Sequence, residues 1–113
     1  VPANVSVSIE NHGGLSNDAD WMVSLMKEVN HLFFGTYPDW RRPSNDFDNV
    51  DYLKKMLPYA KGMSYRNQPT EELTAQMIKM SKDMGYSGWY GIESSGRDAI
   101  KQGKQLLTKY LHL

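Results

Sequence analysis

The sequence predicts an α/β fold built of four strand–helix units with parallel strands. Stretches rich in β-branched and aromatic residues alternate along the chain with longer amphipathic stretches. The strand-like stretches begin near residues 5, 32, 60 and 88, a spacing of about 28 residues. A strand, a short loop and a helix repeated at this spacing indicate parallel strands joined by right-handed crossover connections.

The first two units show the pattern most clearly. Apolar and polar residues alternate over residues 5–10, which is typical of a strand. We expect Ser16 or Asn17 to cap the helix that follows. The second strand is predicted over residues 32–37, and a polar loop separates it from a helix over 49–57. The apolar residues of the first helix fall on one face: Trp21, Met22, Leu25, Met26 and Val29.

The last two units follow the same plan. The third strand, over residues 60–65, has the weakest strand pattern of the four. Thr70 and the two glutamates after it are typical of a helix start, and Gly85 is typical of a helix end. The fourth strand is predicted over residues 89–93. Apolar residues then mark a last helix: Ile100, Leu106, Leu107 and Tyr110.

Composition excludes several classes of protein. The 113 residues suit one domain, and 13 basic against 13 acidic side chains give no net charge. Neither a nucleic acid nor a membrane surface is therefore an expected partner, and no apolar run is long enough to span a bilayer. Without cysteine there is no disulfide, thiolate metal site or cysteine nucleophile. The first residues carry no signal-peptide pattern and no start methionine, so we expect a piece of a longer protein.

Two folds are built of such units: an open, doubly wound sheet and a (βα)8 barrel. Gly13 and Gly14 follow the first strand without the spacing of a dinucleotide-binding fingerprint. This favours the barrel, of which four units make half.

Acidic residues end three of the four predicted strands. Glu10 ends the first strand, Asp39 follows the second and Glu93 ends the fourth. A carboxylate at the end of an apolar strand is costly to bury unless it is paired or binds a cation. Asp39 could instead cap a loop and the glutamates could be solvated. Three acids at one edge favour a site for Mn²⁺, Mg²⁺, Co²⁺ or Zn²⁺.

Other side chains near the strand ends are candidates for substrate binding. His12 lies in a turn beside two glycines, where it could be a ligand or a structural hydrogen-bonding group. Trp40 could line a sugar pocket or cover the rim of the barrel, and Arg66 follows the third strand. We interpret Arg41 and Arg42 as a solvated loop rather than a phosphate clamp.

Four segments carry a resemblance to a known family. They are IENHGG at residues 9–14, GTYPD at 35–39, YAKGMS at 59–64 and GYSGWYGIE at 85–93. In this order they resemble the C-terminal half of xylose isomerase-like TIM barrels, the sugar phosphate isomerase/epimerase superfamily. The resemblance covers essentially the whole chain. It implies that residues 1–113 are one half-barrel segment, strands five to eight of a larger (βα)8 domain.

The resemblance also implies a function. Glu10, Asp39 and Glu93 would hold one divalent metal ion, and the two glutamates would move a proton beside the carbonyl of a sugar or keto sugar, through an enediolate. This describes a metal-dependent isomerase or epimerase, for which a cytoplasmic location is the default. The family has a metal-binding histidine at the end of strand seven, where this chain has Ser64. Water or His12 would then complete the metal shell.

Two other functions stay open, and a partner is expected. Ser64 favours a non-catalytic carbohydrate-binding or structural half-barrel. An abasic-site endonuclease-like barrel fits less well, because the chain has three histidines and no net charge. A half-barrel leaves its outer strands unpaired. We therefore expect an N-terminal half-barrel, missing from this sequence, or a second copy of the chain in a homodimer.

Overall fold

A computed structural model describes residues 4–113, which form an α/β fold with four helices and two small parallel sheets. Residues 1–3, the start of the predicted half-barrel segment, lie outside the described residues. The strands are β1 (Val7–Ile9), β2 (Phe34–Thr36), β3 (Met63–Tyr65) and β4 (Tyr90–Ile92). The helices are α1 (Ala19–Val29), α2 (Asn49–Met56), α3 (Glu71–Asp83) and α4 (Arg97–Leu111), with 3-10 turns at Gly14–Asn17 and Leu57–Tyr59. The predicted α/β class is confirmed.

The strands pair in parallel in the order of the chain. β1 pairs with β2, and β3 pairs with β4. Two isolated parallel bridges, Thr36 with Ala60 and Asp39 with Ser64, link the second strand region to the third. Because every pairing is parallel, the carboxyl ends of the strands point in one direction.

Each strand has three residues and is shorter than the stretch predicted for it. The second strand shows one cause. Leu32 is exposed and precedes the ladder, while Pro38 follows it and has no N–H to donate. Pro38 instead accepts a hydrogen bond from the backbone of Ser64 at 2.9 Å.

The N-cap of α1 differs from the prediction. The Asp18 carboxylate accepts the backbone N–H of Trp21 at 3.0 Å and is the cap. Ser16 and Asn17 accept backbone N–H groups of the preceding turn at 2.8 and 3.1 Å. Their side chains are therefore committed to the 3-10 turn, and the expectation that one of them caps α1 was wrong.

Helix α3 begins and ends as predicted. The Thr70 hydroxyl accepts the backbone N–H of Leu73 at 3.1 Å, which satisfies one donor of the first turn. Gly85 follows the helix with φ at +85°, a conformation that glycine adopts without a steric penalty.

Two clusters of buried side chains form the core. In α1 only Met22 and Met26 are buried, whereas Trp21 and Val29 are exposed, so the buried face is narrower than predicted. The smaller cluster lies between α1 and α2 and contains Met22, Met26, Tyr52 and Met56. The larger cluster joins α2, α3 and α4 to β3 and contains Trp40, Leu53, Leu57, Met63, Tyr65, Met77, Ile78, Leu106 and Leu107.

None of the helices within residues 4–113 combines the length and the apolar character that a transmembrane helix needs.

Candidate functional site

The structure brings the three predicted acids together. Glu10 directly follows β1, Asp39 lies shortly after β2, and Glu93 directly follows β4. One carboxylate oxygen from each residue lies within 4.8 Å of the other two. Asp39 is only 3% exposed, whereas both glutamates are exposed. We call these three residues the carboxylate cluster.

A buried asparagine fixes the backbone beneath the carboxylate cluster. The Asn11 side chain is fully buried and links the segment after β1 to Asp39, three residues after β2. Its Oδ1 accepts the backbone N–H of Asp39 at 2.7 Å, and its Nδ2 donates to the Asp39 carbonyl at 3.1 Å. Two reciprocal hydrogen bonds to one residue hold Asp39 in a single backbone position.

Arg66 is the counter-ion of the cluster. Its Nε and Nη2 donate to the two oxygens of Asp39 at 2.8 and 3.0 Å. Nη2 also lies 2.9 Å from Oε1 of Glu93. The hydrogen bond to Asp39 is the main cause that raises the pKa of Arg66, and the negative charges nearby act in the same direction. Three carboxylates and one guanidinium leave a formal charge of −2 on the group.

Ser64, which stands where the family pattern has histidine, contacts Glu10. Its hydroxyl donates to Oε2 of Glu10 at 2.9 Å. The sequence analysis treated Ser64 as a replacement for the family's metal-binding histidine and did not predict this contact. In the structure the hydroxyl orients a neighbouring carboxylate.

The carboxylate cluster fits a divalent cation in donor type, spacing and charge. Oxygen ligands about 2.0–2.6 Å from a metal lie at most about 5 Å apart, so separations within 4.8 Å are compatible with a shared ion. A carboxylate has about four acceptor positions. The Asp39 carboxylate uses three of them for Arg66 and for the N–H of Arg41. One position on Asp39 therefore remains, and one divalent ion would neutralise the formal charge of −2.

The other predicted site residues lie in different surroundings. His12 is exposed, and its backbone N–H donates to Ser16 Oγ at 2.8 Å, so its role in substrate binding stays a prediction. Trp40 is 1% exposed and belongs to the larger core cluster. Its Nε1 donates to Sδ of Met63 at 3.1 Å, and its ring centroid lies 4.9 Å from that of Tyr65. In this structure Trp40 therefore has no exposed ring face that could make the predicted contact with a sugar.

Arg66 was predicted as a substrate contact, and the structure shows it bound to Asp39 and Glu93. The role of Asn11 was not predicted. The sequence did offer a signal for it, because Asn11 is a polar residue that directly follows a strand and the candidate ligand Glu10.

No family model matches this chain, and no curated protein is significantly similar to it. The resemblance to xylose isomerase-like barrels therefore stays a prediction.

Proposed function

We propose that this chain is the metal-binding part of a divalent-metal-dependent isomerase or epimerase acting on a sugar or keto sugar. The observation that carries the proposal is the carboxylate cluster, with oxygens of Glu10, Asp39 and Glu93 within 4.8 Å of one another. The cluster follows the carboxyl ends of parallel strands, which is where α/β sheets and barrels have their ligand sites.

The three acids have different roles in this proposal. Asp39 is buried and its backbone is fixed, so it serves as the rigid ligand. Glu10 and Glu93 are exposed and would reach both the ion and the substrate. A divalent ion in this position would polarise the carbonyl and hydroxyl oxygens of the substrate.

The glutamates would then move the proton. One removes it from the carbon beside the carbonyl, which leaves an enediolate, and the other returns a proton to the neighbouring carbon or to the opposite face. A positioned general base contributes about 10²–10⁴-fold to the rate. The Ser64 hydroxyl holds Glu10 and the Arg66 guanidinium holds Glu93, so both carboxylates have a partner that orients them.

For the architecture, we propose that the four strand–helix units are strands five to eight of a (βα)8 barrel. The parallel pairings in chain order and the two bridges between the sheets support this arrangement. Such a half needs a partner that covers its outer strands. The proposed partner is an N-terminal half-barrel or a second copy of this chain.

A non-catalytic half-barrel is the second candidate. The observation that favours it is the guanidinium of Arg66, which donates a hydrogen bond to each oxygen of Asp39 without a metal. Such a cluster would stabilise the strand ends and need no ion.

Titration with Mn²⁺ in a calorimeter separates the two candidates. We expect the wild-type chain to bind about one ion per site. Glu10→Gln, Asp39→Asn and Glu93→Gln each remove a charged ligand, and each should weaken binding by at least about tenfold. Glu28→Gln is the matched control, because Glu28 is an exposed glutamate of α1 outside the cluster. A wild-type chain that binds no Mn²⁺, or cluster variants that bind like Glu28→Gln, would overturn the metal enzyme and leave the structural candidate.

A further inference from the structure

Tyr37 lies on the face of the strands that carries the carboxylate cluster. A Cβ added to Gly62 would lie 2.6 Å from Cε2 of Tyr37, and a Cβ added to Gly91 would lie 3.1 Å from Tyr37 Oη. The ring therefore lies across the third and fourth strand regions, at two positions that have no side chain. Because side chains two positions apart on a strand share a face, Gly91 is on the same face as Glu93.

The third strand region places Tyr37 on the same face. Gly62 directly precedes β3 and is two positions before Ser64, whose hydroxyl donates to Glu10 of the cluster. Two residues of a parallel strand rise about 6.6 Å, so Tyr37 Oη is about this far from the level of the cluster, toward the amino ends of the strands. This distance is too long for Tyr37 to be a ligand of the ion proposed there, but a molecule of the size of a sugar would span it.

The hydroxyl of Tyr37 has no hydrogen-bond partner within residues 4–113. Five of the seven tyrosines use their hydroxyl in a hydrogen bond in this part of the chain: Tyr52, Tyr65, Tyr86, Tyr90 and Tyr110. Among the described residues every buried side-chain oxygen and nitrogen has a partner. The hydroxyl of Tyr37, a half-buried residue, is therefore accessible to a ligand.

The backbone around Tyr37 is held by both neighbouring strand regions. Its N–H donates to the carbonyl of Ile9 at 2.8 Å, and the carbonyls of Thr36 and Pro38 each accept an N–H of the third strand region at 2.9 Å. Only two side-chain torsions separate this fixed backbone from the plane of the ring. The hydroxyl is thus positioned before a ligand arrives, which lowers the entropy that binding removes.

We infer that Tyr37 is a substrate-binding residue, whose hydroxyl makes a hydrogen bond with a hydroxyl group of the sugar. A phenol hydroxyl can donate to such a group or accept from it, and the ring beside it provides an apolar surface. Tyr37 thereby takes the role predicted for Trp40, whose ring is buried. That the bound molecule is a sugar rests on the proposed function.

The test is a titration of wild-type protein and Tyr37→Phe with two keto sugars, D-fructose and D-ribulose, in the presence of Mn²⁺. Wild type should bind at least one of them. Tyr37→Phe should bind it about threefold to tenfold more weakly, because the variant keeps the ring and loses one neutral hydrogen bond. Tyr59→Phe is the matched control and should bind like wild type, because Tyr59 is a half-buried tyrosine in the turn after α2.

Two further measurements separate contact with the sugar from packing. With tyrosines isotope-labelled at Cζ, the nuclear magnetic resonance signal of Tyr37 is the one that is missing from Tyr37→Phe. It should shift when the sugar is added, whereas the signal of Tyr59 should not. Chemical denaturation should give Tyr37→Phe the stability of wild type, because the hydroxyl that it loses has no partner within residues 4–113.

Each outcome bears on one proposal only. The contact with Tyr37 is overturned if neither sugar binds, if Tyr37→Phe binds like Tyr59→Phe, or if the Tyr37 signal stays unshifted while the sugar binds. Binding of Mn²⁺ is measured separately. Its absence, together with weaker sugar binding by Tyr37→Phe, would overturn the metal enzyme and leave Tyr37 as a contact of a non-catalytic carbohydrate-binding half-barrel.

Discussion

At the scale of single residues, Asp39 combines burial with negative charge. An unpaired buried carboxylate would be strongly destabilising, and Arg66 offsets this with two hydrogen bonds while remaining half-buried. A residue that is paired in this way still has an acceptor position for a metal. The structural and the ligand role of Asp39 are therefore compatible.

Tyr65 gives a prediction for the pH dependence of stability. Burial raises its pKa from 10.0 to about 12. The folded state thus holds the phenol proton more tightly than the unfolded state does. The contribution to the free energy of unfolding is fully present below pH 10 and is lost as pH rises from about 10 to about 12. Urea unfolding at a series of pH values from about 8 to about 12 should show this loss, because that range includes the pKa of Tyr65 in both the unfolded and the folded state.

Tyr65→Phe tests whether the loss of stability at alkaline pH comes from the phenol of Tyr65. The variant loses the hydrogen bond to Asn67 Oδ1, which lowers stability by about 1 kcal/mol at neutral pH, and it should lose less stability than wild type at alkaline pH. Tyr59→Phe, at a half-buried tyrosine in the turn after α2, is the control. An unchanged alkaline loss in Tyr65→Phe would show that other groups dominate.

At the scale of elements, Gly35 sets how closely β2 approaches the turn after α2. A Cβ at Gly35 would lie 2.2 Å from the carbonyl oxygen of Tyr59, and that oxygen belongs to the backbone, so it cannot rotate away as a side chain could. We expect Gly35→Ala to lower the free energy of unfolding by about 3 kcal/mol. The measurement is chemical denaturation of the variant beside wild type.

Gly14→Ala measures the cost of a strained backbone conformation without the steric crowding that is present at Gly35. A Cβ at Gly14 meets no atom within 4 Å, but φ is +57°. Its cost should be the left-handed penalty alone, about 1–2 kcal/mol. If both variants lose the same free energy of unfolding, the backbone around Gly35 must move to make room for the added Cβ, and the prediction for Gly35→Ala is wrong.

The order of the elements could be predicted from the sequence because it depends on local periodicity. Four strands, four helices and the Thr70 cap follow from residue patterns within a few positions. The strand lengths and the cap of α1 could not be predicted in this way. For the cap, several residues that favour the N-cap position adjoin one another, and in the structure Asp18 occupies it. The proximity of Glu10, Asp39 and Glu93 was predictable from parallel strand ends.

The partners of these acids were not predictable in the same way. Ser64 bonds to Glu10 across 54 positions of the chain, and Arg66 bonds to Asp39 across 27. Side-chain pairing at that distance depends on how the strands align and on rotamers, which residue periodicity does not encode. The burial of Trp40 has the same origin, since it depends on packing against β3.

At the scale of the whole molecule, the exposed large apolar side chains of the described residues fall into two groups along the chain. Six lie from Val5 to Leu32, before β2, and four lie from Met84 to Leu113, after α3. The most exposed is Trp89, at 88%, beside a cleft of about 510 Å³ lined by β4 and α4. Under the proposed architecture, partners would cover β1 at one side and β4 at the other, the strands that adjoin these two groups of residues along the chain.

Trp89 therefore provides a test of association. If a second copy is the partner, the average mass from sedimentation should rise with concentration, and Trp89→Ser should raise the dissociation constant by at least about tenfold through lost apolar burial. Glu72→Ser, on the exposed side of α3, is the control and should associate like wild type. A wild-type chain that stays monomeric at all concentrations would leave the N-terminal half-barrel as the proposed partner.

The difference between the two ends would also set the shape of an assembly of copies of this chain. Where the parallel sheet continues from one copy to the next, β4 of one copy meets β1 of its neighbour, so the copies join head to tail and every junction repeats the same rotation. A rotation of half a turn at each junction closes the assembly into a ring after two copies. A rotation that does not bring the last copy back onto the first leaves the assembly open, and it grows into a fibre. The twist between neighbouring strands, a property of the backbone, would then determine how many copies form a finished particle.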